Sequence, residues 1–298
     1  INLIVVCSPI EFHYEHAKLA LLAGKHVLVE KAFTSTSQQA KELLFLAVER
    51  ELVCAPYQNR RYDADFLTLQ KVLSKLGRIA EYNGIYNRYN NRDHLYDLCV
   101  HLMRRLPHLM HNRYSPNVRE GNWKDQAVGS GGNFLSLGSH MIDQAVLLFG
   151  TPARVFGDVR AQRAGGVLDD AWEVHLYYAD DNSSHSADEN GLHTGGFRAI
   201  LKGSLLAKDN GLRYMVHGDH GSWMKVGVDT QEPSLMAGAL PTYPPIVPLP
   251  GELLPEYPIE EAESEVAYGY EPRNQWGVLT TTSPKDPSSA TTVLTPPV

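Results

Sequence analysis

The sequence has few cysteines, no long apolar run and no strong charge of either sign. Its three cysteines, Cys7, Cys54 and Cys99, are scattered. They form no C-x-x-C pair and no metal-ligand spacing, which excludes a zinc ribbon or a disulfide framework. A reduced, cytoplasmic protein is expected. Cys7 and Cys54 lie in apolar runs and are expected to be buried thiols. No stretch reaches the roughly 18 apolar residues of a membrane helix, and the opening residues carry no signal-peptide pattern. Lys and Arg total 27 against 34 Asp and Glu, a net charge of −7, and no basic patch points to nucleic acid. The 13 histidines are dispersed. His13 and His16 are one turn apart, but no third ligand is evident, so no metal is expected. Also missing is any G-x-G-x-x-G turn, the element that brings a pyrophosphate to a helix N-terminus.

What is present is a chain of 298 residues, 43% hydrophobic, enough for one large or two ordinary domains. Leu3 to Cys7 is a continuous apolar run, as in a strand covered on both faces of a parallel sheet. A turn at Ser8-Pro9 follows, then a helix from about Glu11 to Ala23 ending at Gly24. Val27 to Val29 reads as a second strand and Leu52 to Ala55 as a third. Between them runs a helix over Gln38 to Arg50, with N-cap candidates among Thr34 to Ser37. This β/α alternation predicts βαβ units. Asp63 begins a helix with Phe66, Leu69, Val72, Leu73 and Leu76 on one face, and Ile79 to Tyr89 reads as a strand.

The stretch Gly131 to Gly150 sets a glycine-rich loop before a strongly apolar helix. Ser139 is placed to cap that helix, and Gly150 to close it. His140 and Asp143 share one face. A histidine there can handle a proton, or it can be a helix-start histidine bonded to Asp143. Val27-Leu28-Val29-Glu30-Lys31 ends on a charged pair, and lysine is costly to bury, so the pair points at a cleft or at water.

Read together, GKHVLVEKA and GGNFLSLGSHMIDQA resemble the glucose–fructose oxidoreductase / inositol dehydrogenase / MocA (Gfo/Idh/MocA) family. So do CSPIEFHYEHAKLALLAGKHV, QNRRYDADFLTLQKVL and VHGDHGSWMKVGVDTQEPSLMAG, in order, to about Gly277. The resemblance implies an NAD(P)-dependent oxidoreductase acting on a sugar, polyol or related carbonyl compound. The implied fold is an incomplete Rossmann-type parallel sheet (residues 1–60), then a domain with a large, mostly antiparallel open sheet (61–279). It implies NAD or NADP as cofactor, a small-molecule sugar or polyol substrate, and a homodimer or homotetramer through the second sheet. Lys31 is the implied catalytic lysine, His140 the proton acceptor or relay, and Asp143 its companion. Ser8, Pro9, His13, Glu30, Lys31 and Gln58 are implied to line the cofactor, and Arg60, Ser136 and His140 the substrate. Lys225 is a weak phosphate candidate.

This sequence departs from the family pattern in three places. Ala32 stands where relatives carry proline, and Ser136 where catalytic members carry aspartate; serine keeps a hydrogen-bonding group but cannot hold charge. The glycine-rich half expected ahead of Leu3 is absent, so a chain truncated at both ends is expected. These departures leave open a non-catalytic sensing module, or an inactive fragment. The segment 90–111, NNRDHLYDLCVHLMRRLPHLMH, is atypical, and reads equally as a surface helix or a translated intron. After Gly150, runs at 155–163, 172–178, 197–206 and 214–217 predict strands, with a polar loop over 180–196 and a proline-rich loop over 241–258. The last 19 residues, 280–298, are rich in Ser, Thr and Pro and are expected to be disordered.

Overall fold

The structure, a computed structural model, describes residues 1–88, 131–163, 165–179, 196–207, 209–236, 268–283 and 286–297. The segments expected to form the 90–111 insert, the 180–196 loop but for Gly196, and the 241–258 loop lie outside these residues.

The first three strands, β1 (Leu3–Val6), β2 (His26–Val29) and β3 (Cys54–Pro56), form a parallel sheet in the order β1-β2-β3. Helices α1 (His13–Leu22) and α2 (Ser37–Glu49) connect them. Thr36 is the N-cap of α2, its hydroxyl accepting from Gln39 N at 3.2 Å. Val6, Val27 and Val29 pack against Ala17, Ala20, Leu21, Leu43 and Ala47 in one core. The expectation that β1 is covered on both faces is corrected. Leu3 and Val5 are 51% and 54% exposed, because a strand turns alternate side chains to opposite faces and both helices pack on one of them. Cys7, expected to be buried, is exposed, and Cys54 is half-buried. Cys7 follows directly on β1, which among the described residues pairs with β2 alone.

From β4 (Ile79–Asn87) onward the chain builds an eight-stranded sheet. Its strands are β4, β5 (Arg154–Arg160), β6 (Ala171–Tyr178), β7 (Phe197–Ser204), β8 (Leu212–Gly218), β9 (Gly221–Val226), β10 (Gly277–Ser283) and β11 (Asp286–Thr295). The order is β11-β10-β9-β8-β4-β7-β6-β5, antiparallel throughout except for β4 with β7. The one face is buried: in β6, Trp172, Val174, Leu176 and Tyr178 point inward, and the residues between them are half-buried. Helices α3 (Ala64–Leu73) and α4 (Ser139–Phe149) lie on this inner face. Phe66, Leu69 and Val72 of α3, with Met141 and Ala145 of α4, meet Tyr82, Tyr86, Leu201, Tyr214, Val216 and Trp223 in the main core.

The expected disordered tail is corrected as well. Gly277–Ser283 and Asp286–Thr295 pair as the antiparallel strands β10 and β11, and β10 pairs with β9. The threonines that read as polar filler suit strands, being β-branched. Leu279 is buried in the core, and Trp223 Nε1 donates to Thr295 Oγ1 at 2.9 Å. The start of α4 differs too. Its N-cap is Gly138, not Ser139, and a π-helical turn, Phe134–Gly138, runs straight into the helix.

Leu69 is fully buried and Phe45 is 75% exposed. Leu69→Ala is expected to cost about 2–5 kcal/mol through lost contacts and a residual cavity, and Phe45→Ser no more than about 0.5 kcal/mol. Urea unfolding followed by fluorescence of the core residues Trp172 and Trp223 distinguishes the two.

Candidate active site

The ends of the three parallel strands carry Ser8-Pro9, Glu30-Lys31 and Gln58 side by side. Ligands of open α/β sheets bind at this carboxyl edge. Here the edge faces the π-helical turn and α4. Lys31 Nζ donates to the Ser136 carbonyl at 2.8 Å and to its hydroxyl at 3.1 Å. His140 Nδ1 donates to Gln58 Oε1 at 2.9 Å. Contacts from two strand ends thus join the parallel sheet to the π-helical turn and to the first turn of α4.

Local chemistry explains why the loop holds this shape. Gly132 has φ +107°, and a Cβ there would lie 2.0 Å from Asp169 Oδ1. Only glycine accommodates both that backbone and that approach. Asp169 in turn accepts from the backbone N of Phe134 at 2.5 Å, and its carbonyl from Asn133 N at 2.9 Å. Trp172 Nε1 donates to Asn133 Oδ1 at 2.7 Å. The turn that presents Ser136 is therefore tied to the loop before β6 and to β6 itself.

His140 is 3% exposed. Burial first, then the charges of Lys31, Arg60, Arg213 and Arg88, push its pKa from 6.5 down to about 2. It is a neutral imidazole, and with Nδ1 donating, Nε2 carries the free lone pair. Asp143 does not orient it. Asp143 accepts from Arg61 Nε at 2.7 Å and Nη2 at 2.6 Å, because residue 143 lies on the side of α4 that faces the Asn59–Tyr62 turn. Nothing in the sequence pattern singles out Arg61.

Arg60 is not a surface group. Its Nη1 donates to Asp63 at 3.1 Å and its Nη2 to Glu232 at 2.9 Å, and its guanidinium lies over the Tyr86 ring at 5.1 Å. Burial works against its charge, yet Tyr86, Asp63 and Glu232 together hold its pKa above the ordinary arginine value. Asp63 is pushed up to about 7, by burial and by Asp65, against the pull of Arg60. His13 is buried, with ring nitrogens 2.8 Å from the carbonyl oxygens of Ala32 and Ser8. It ties the Ser8 turn to the residue after Lys31. Lys225 is buried against Glu271 and donates to the carbonyls of Gln275 at 2.8 Å and Val226 at 3.1 Å. That placement removes it as a phosphate candidate.

Beneath the site runs a network the sequence reading did not pick out. Gln144 Nε2 donates to the Arg60 carbonyl at 2.8 Å. Its Oε1 accepts from Tyr214 OH at 2.9 Å and Arg213 Nη2 at 3.4 Å, and Arg213 Nε reaches Asp65 at 3.1 Å. The signal available was a charge at an inward position: Asp65 among the apolar residues of α3, and Arg213 between Leu212 and Tyr214 of β8.

Lys31, Glu30 and Gln58 have the donor and acceptor chemistry for the nicotinamide end of a dinucleotide at this edge. The sequence given has no G-x-G-x-x-G turn for its pyrophosphate. Among the described residues, no group of three or more His, Cys, Asp or Glu is placed to hold a metal, and no helix is long and apolar enough to cross a membrane.

Comparison with known proteins agrees with this fold. Residues 1–58 match the family described as "Oxidoreductase family, NAD-binding Rossmann fold", and residues 74–224 match "GFO/IDH/MocA C-terminal domain". The chain is 37% identical over 246 residues to the oxidoreductase YhhX of Escherichia coli, covering 82% of this chain and 58% of YhhX. It is 34% identical over 241 residues to scyllo-inositol 2-dehydrogenase (NADP(+)) IolW of Bacillus subtilis, covering 81% and 56%. The chain thus spans less than two thirds of the length of these relatives. Among solved structures, the oxidoreductase yvaA of Bacillus subtilis superposes with a TM-score of 0.73 at 30% identity, covering all of this chain and 67% of that one.

The lowered pKa of His140 fixes a sign for pH dependence. The unfolded chain takes up a proton near pH 6.5 and the folded chain does not until about pH 2. The stability this group contributes is therefore complete above pH 6.5 and is lost as pH falls, by up to about 1.4 kcal/mol per pH unit. Urea unfolding of the wild type and of His140→Asn between pH 7.5 and 4.5 is expected to show a shallower decline in the variant.

Proposed function

The chain belongs to the GFO/IDH/MocA oxidoreductase family, and we propose that it serves an NAD(P)-dependent oxidoreductase acting on a sugar, a polyol or a related carbonyl compound. The observation that carries this reading is the approach of the Lys31 ammonium and the neutral His140 to one turn, Ser136–His140, at the carboxyl edge of the parallel sheet. The similarity to an inositol dehydrogenase named for NADP(+) supports the substrate and cofactor classes.

The bound nicotinamide would supply the hydride acceptor or donor. The residues of this chain supply the rest. Lys31 places a positive charge where an alkoxide develops. His140 offers Nε2 as an acceptor that orients the substrate hydroxyl. The nearby cations hold the imidazole neutral, so it takes up a proton only as negative charge builds on the substrate oxygen beside it. Ser8, Pro9, Glu30 and Gln58 line the nicotinamide side of this seam. Residues 1–60 form the nucleotide-binding part, and the segment from 61 onward the substrate and assembly part.

The outer face of the large sheet supports self-association into a dimer or tetramer. A cavity of about 570 Å³ opens there, lined by Leu212, Met224, Val226, Trp276, Val278 and Leu294 among others. The scattered cysteines, without a disulfide framework, suit the cytoplasm. In light scattering, an oligomer is expected, and Met224→Lys should weaken it; a wild-type monomer at micromolar concentration would remove this part of the reading.

One observation favours a second reading, a non-catalytic sensing module. Where catalytic relatives place an aspartate, Ser136 gives Lys31 only a hydroxyl and a carbonyl. Reduction of NAD+ or NADP+ in the presence of a sugar and polyol panel decides between them. Turnover in the wild type, falling about 10²-fold or more in Lys31→Ala, supports the enzyme. Turnover that arises only in Ser136→Asp supports the sensor, and activity unchanged in Lys31→Ala rules out the role given to the lysine.

A further inference from the structure

We infer that Gln58 is a positioning residue that selects the ring tautomer of His140, keeping the proton on Nδ1 and leaving Nε2 as the acceptor. This rests on the proposed function for its meaning, but its test does not depend on turnover.

His140 Nδ1 lies 2.9 Å from the Gln58 side-chain oxygen. An amide oxygen only accepts, so Nδ1 must be the protonated nitrogen. A neutral imidazole has one N–H, and the second nitrogen then has a lone pair. If Gln58 were flipped, its NH2 group would donate to Nδ1, the proton would move to Nε2, and the acceptor would be lost.

The surroundings hold the Gln58 backbone in this place. The Gln58 backbone N donates to the Pro56 carbonyl at 3.1 Å, and its own carbonyl accepts from Arg61 N at 3.1 Å. The turn Asn59–Tyr62 that follows is tied at the Arg60 carbonyl by Gln144 Nε2, one turn of α4 beyond His140. Gln58 and His140 are thus presented to each other from two backbones that Gln144 links.

Charge explains why the partner is an amide. Lys31 faces His140 from the end of β2, Arg60 from the turn after β3, Arg88 from the end of β4, and Arg213 from β8. On α4 itself Asp143 is engaged by Arg61. A carboxylate at position 58 would accept the same hydrogen bond, but it would also favour the imidazolium, whose Nε2 is a donor. A glutamine orients the ring without charging it. The neutral acceptor is therefore built from the Gln58 amide and the cationic surround together.

The test is 15N NMR of histidine-labelled protein, with the His140 ring assigned by the signals lost in His140→Asn. In the wild type, Nδ1 is expected to be pyrrole-like and Nε2 pyridine-like, unchanged from pH 8.5 to 5.5. In Gln58→Leu the two nitrogens should move toward averaged shifts as the tautomers mix. In Gln58→Glu the His140 pKa should rise by at least about one unit, the effect of an opposite charge in contact. A pyridine-like Nδ1 in the wild type would overturn the inference, and so would a Gln58→Leu spectrum identical to the wild type. Should Gln58→Leu fail to fold, the wild-type tautomer and the Gln58→Glu titration still decide. If the spectra agree while Lys31→Ala keeps full turnover, the tautomer assignment stands and the proposed mechanism falls.

Discussion

The buried ion pair of Asp65 and Arg213 is the constraint on which the site depends. Both residues are almost fully buried. Arg213, on β8, reaches Asp65 on α3, the Ile85 carbonyl on β4, and Met141 and Gln144 on α4. One guanidinium thus fixes two helices and a neighbouring strand. Taking two charges out of water is costly; Arg213 offsets part of that cost through its other hydrogen bonds and the Tyr214 ring 4.2 Å away, while Asp65 Oδ1 has no partner among the described residues. Leaving either charge alone would cost about 3–5 kcal/mol. That makes the network all-or-none, and His140 inherits its position from it.

The route from this pair to the chemistry is short. Gln144 passes the position of α4 to the Arg60 carbonyl, and Arg60 engages Asp63 and Glu232. The turn after β3 is therefore located by the second sheet as much as by the first. Lys31 is held in the same way, through Ser136. The residues implied to act on cofactor and substrate meet on a seam where neither side is complete alone.

Much of this was legible in the sequence, and the parts that were not have physical reasons. The βαβ run, the α3 stripe and most strands of the large sheet followed from periodicity, a local property. The family blocks picked out Lys31 and His140, which the structure brings to one turn. Asp143 pairs with Arg61 and not with His140, because spacing of three on a helix gives a shared face but not a shared partner. The β10–β11 pair was missed because threonine-rich segments look unstructured until a neighbouring strand offers an edge. Gln58 as a histidine partner could not be read at all, since the two are 82 positions apart.

The parallel pairing of β4 with β7 bears on how the chain is made. Glu81 and Arg198, which bond across that pair, are 117 residues apart, and the other neighbour of β4, β8, comes later still. At typical elongation rates, β4 and the apolar face of α3 leave the ribosome on the order of 10 s before either partner strand exists. Through that interval Phe66, Leu69 and Tyr82 have no sheet to close over them. The nascent chain thus presents this apolar face to water over that interval, while the β1–β2 and β2–β3 pairings join segments already made.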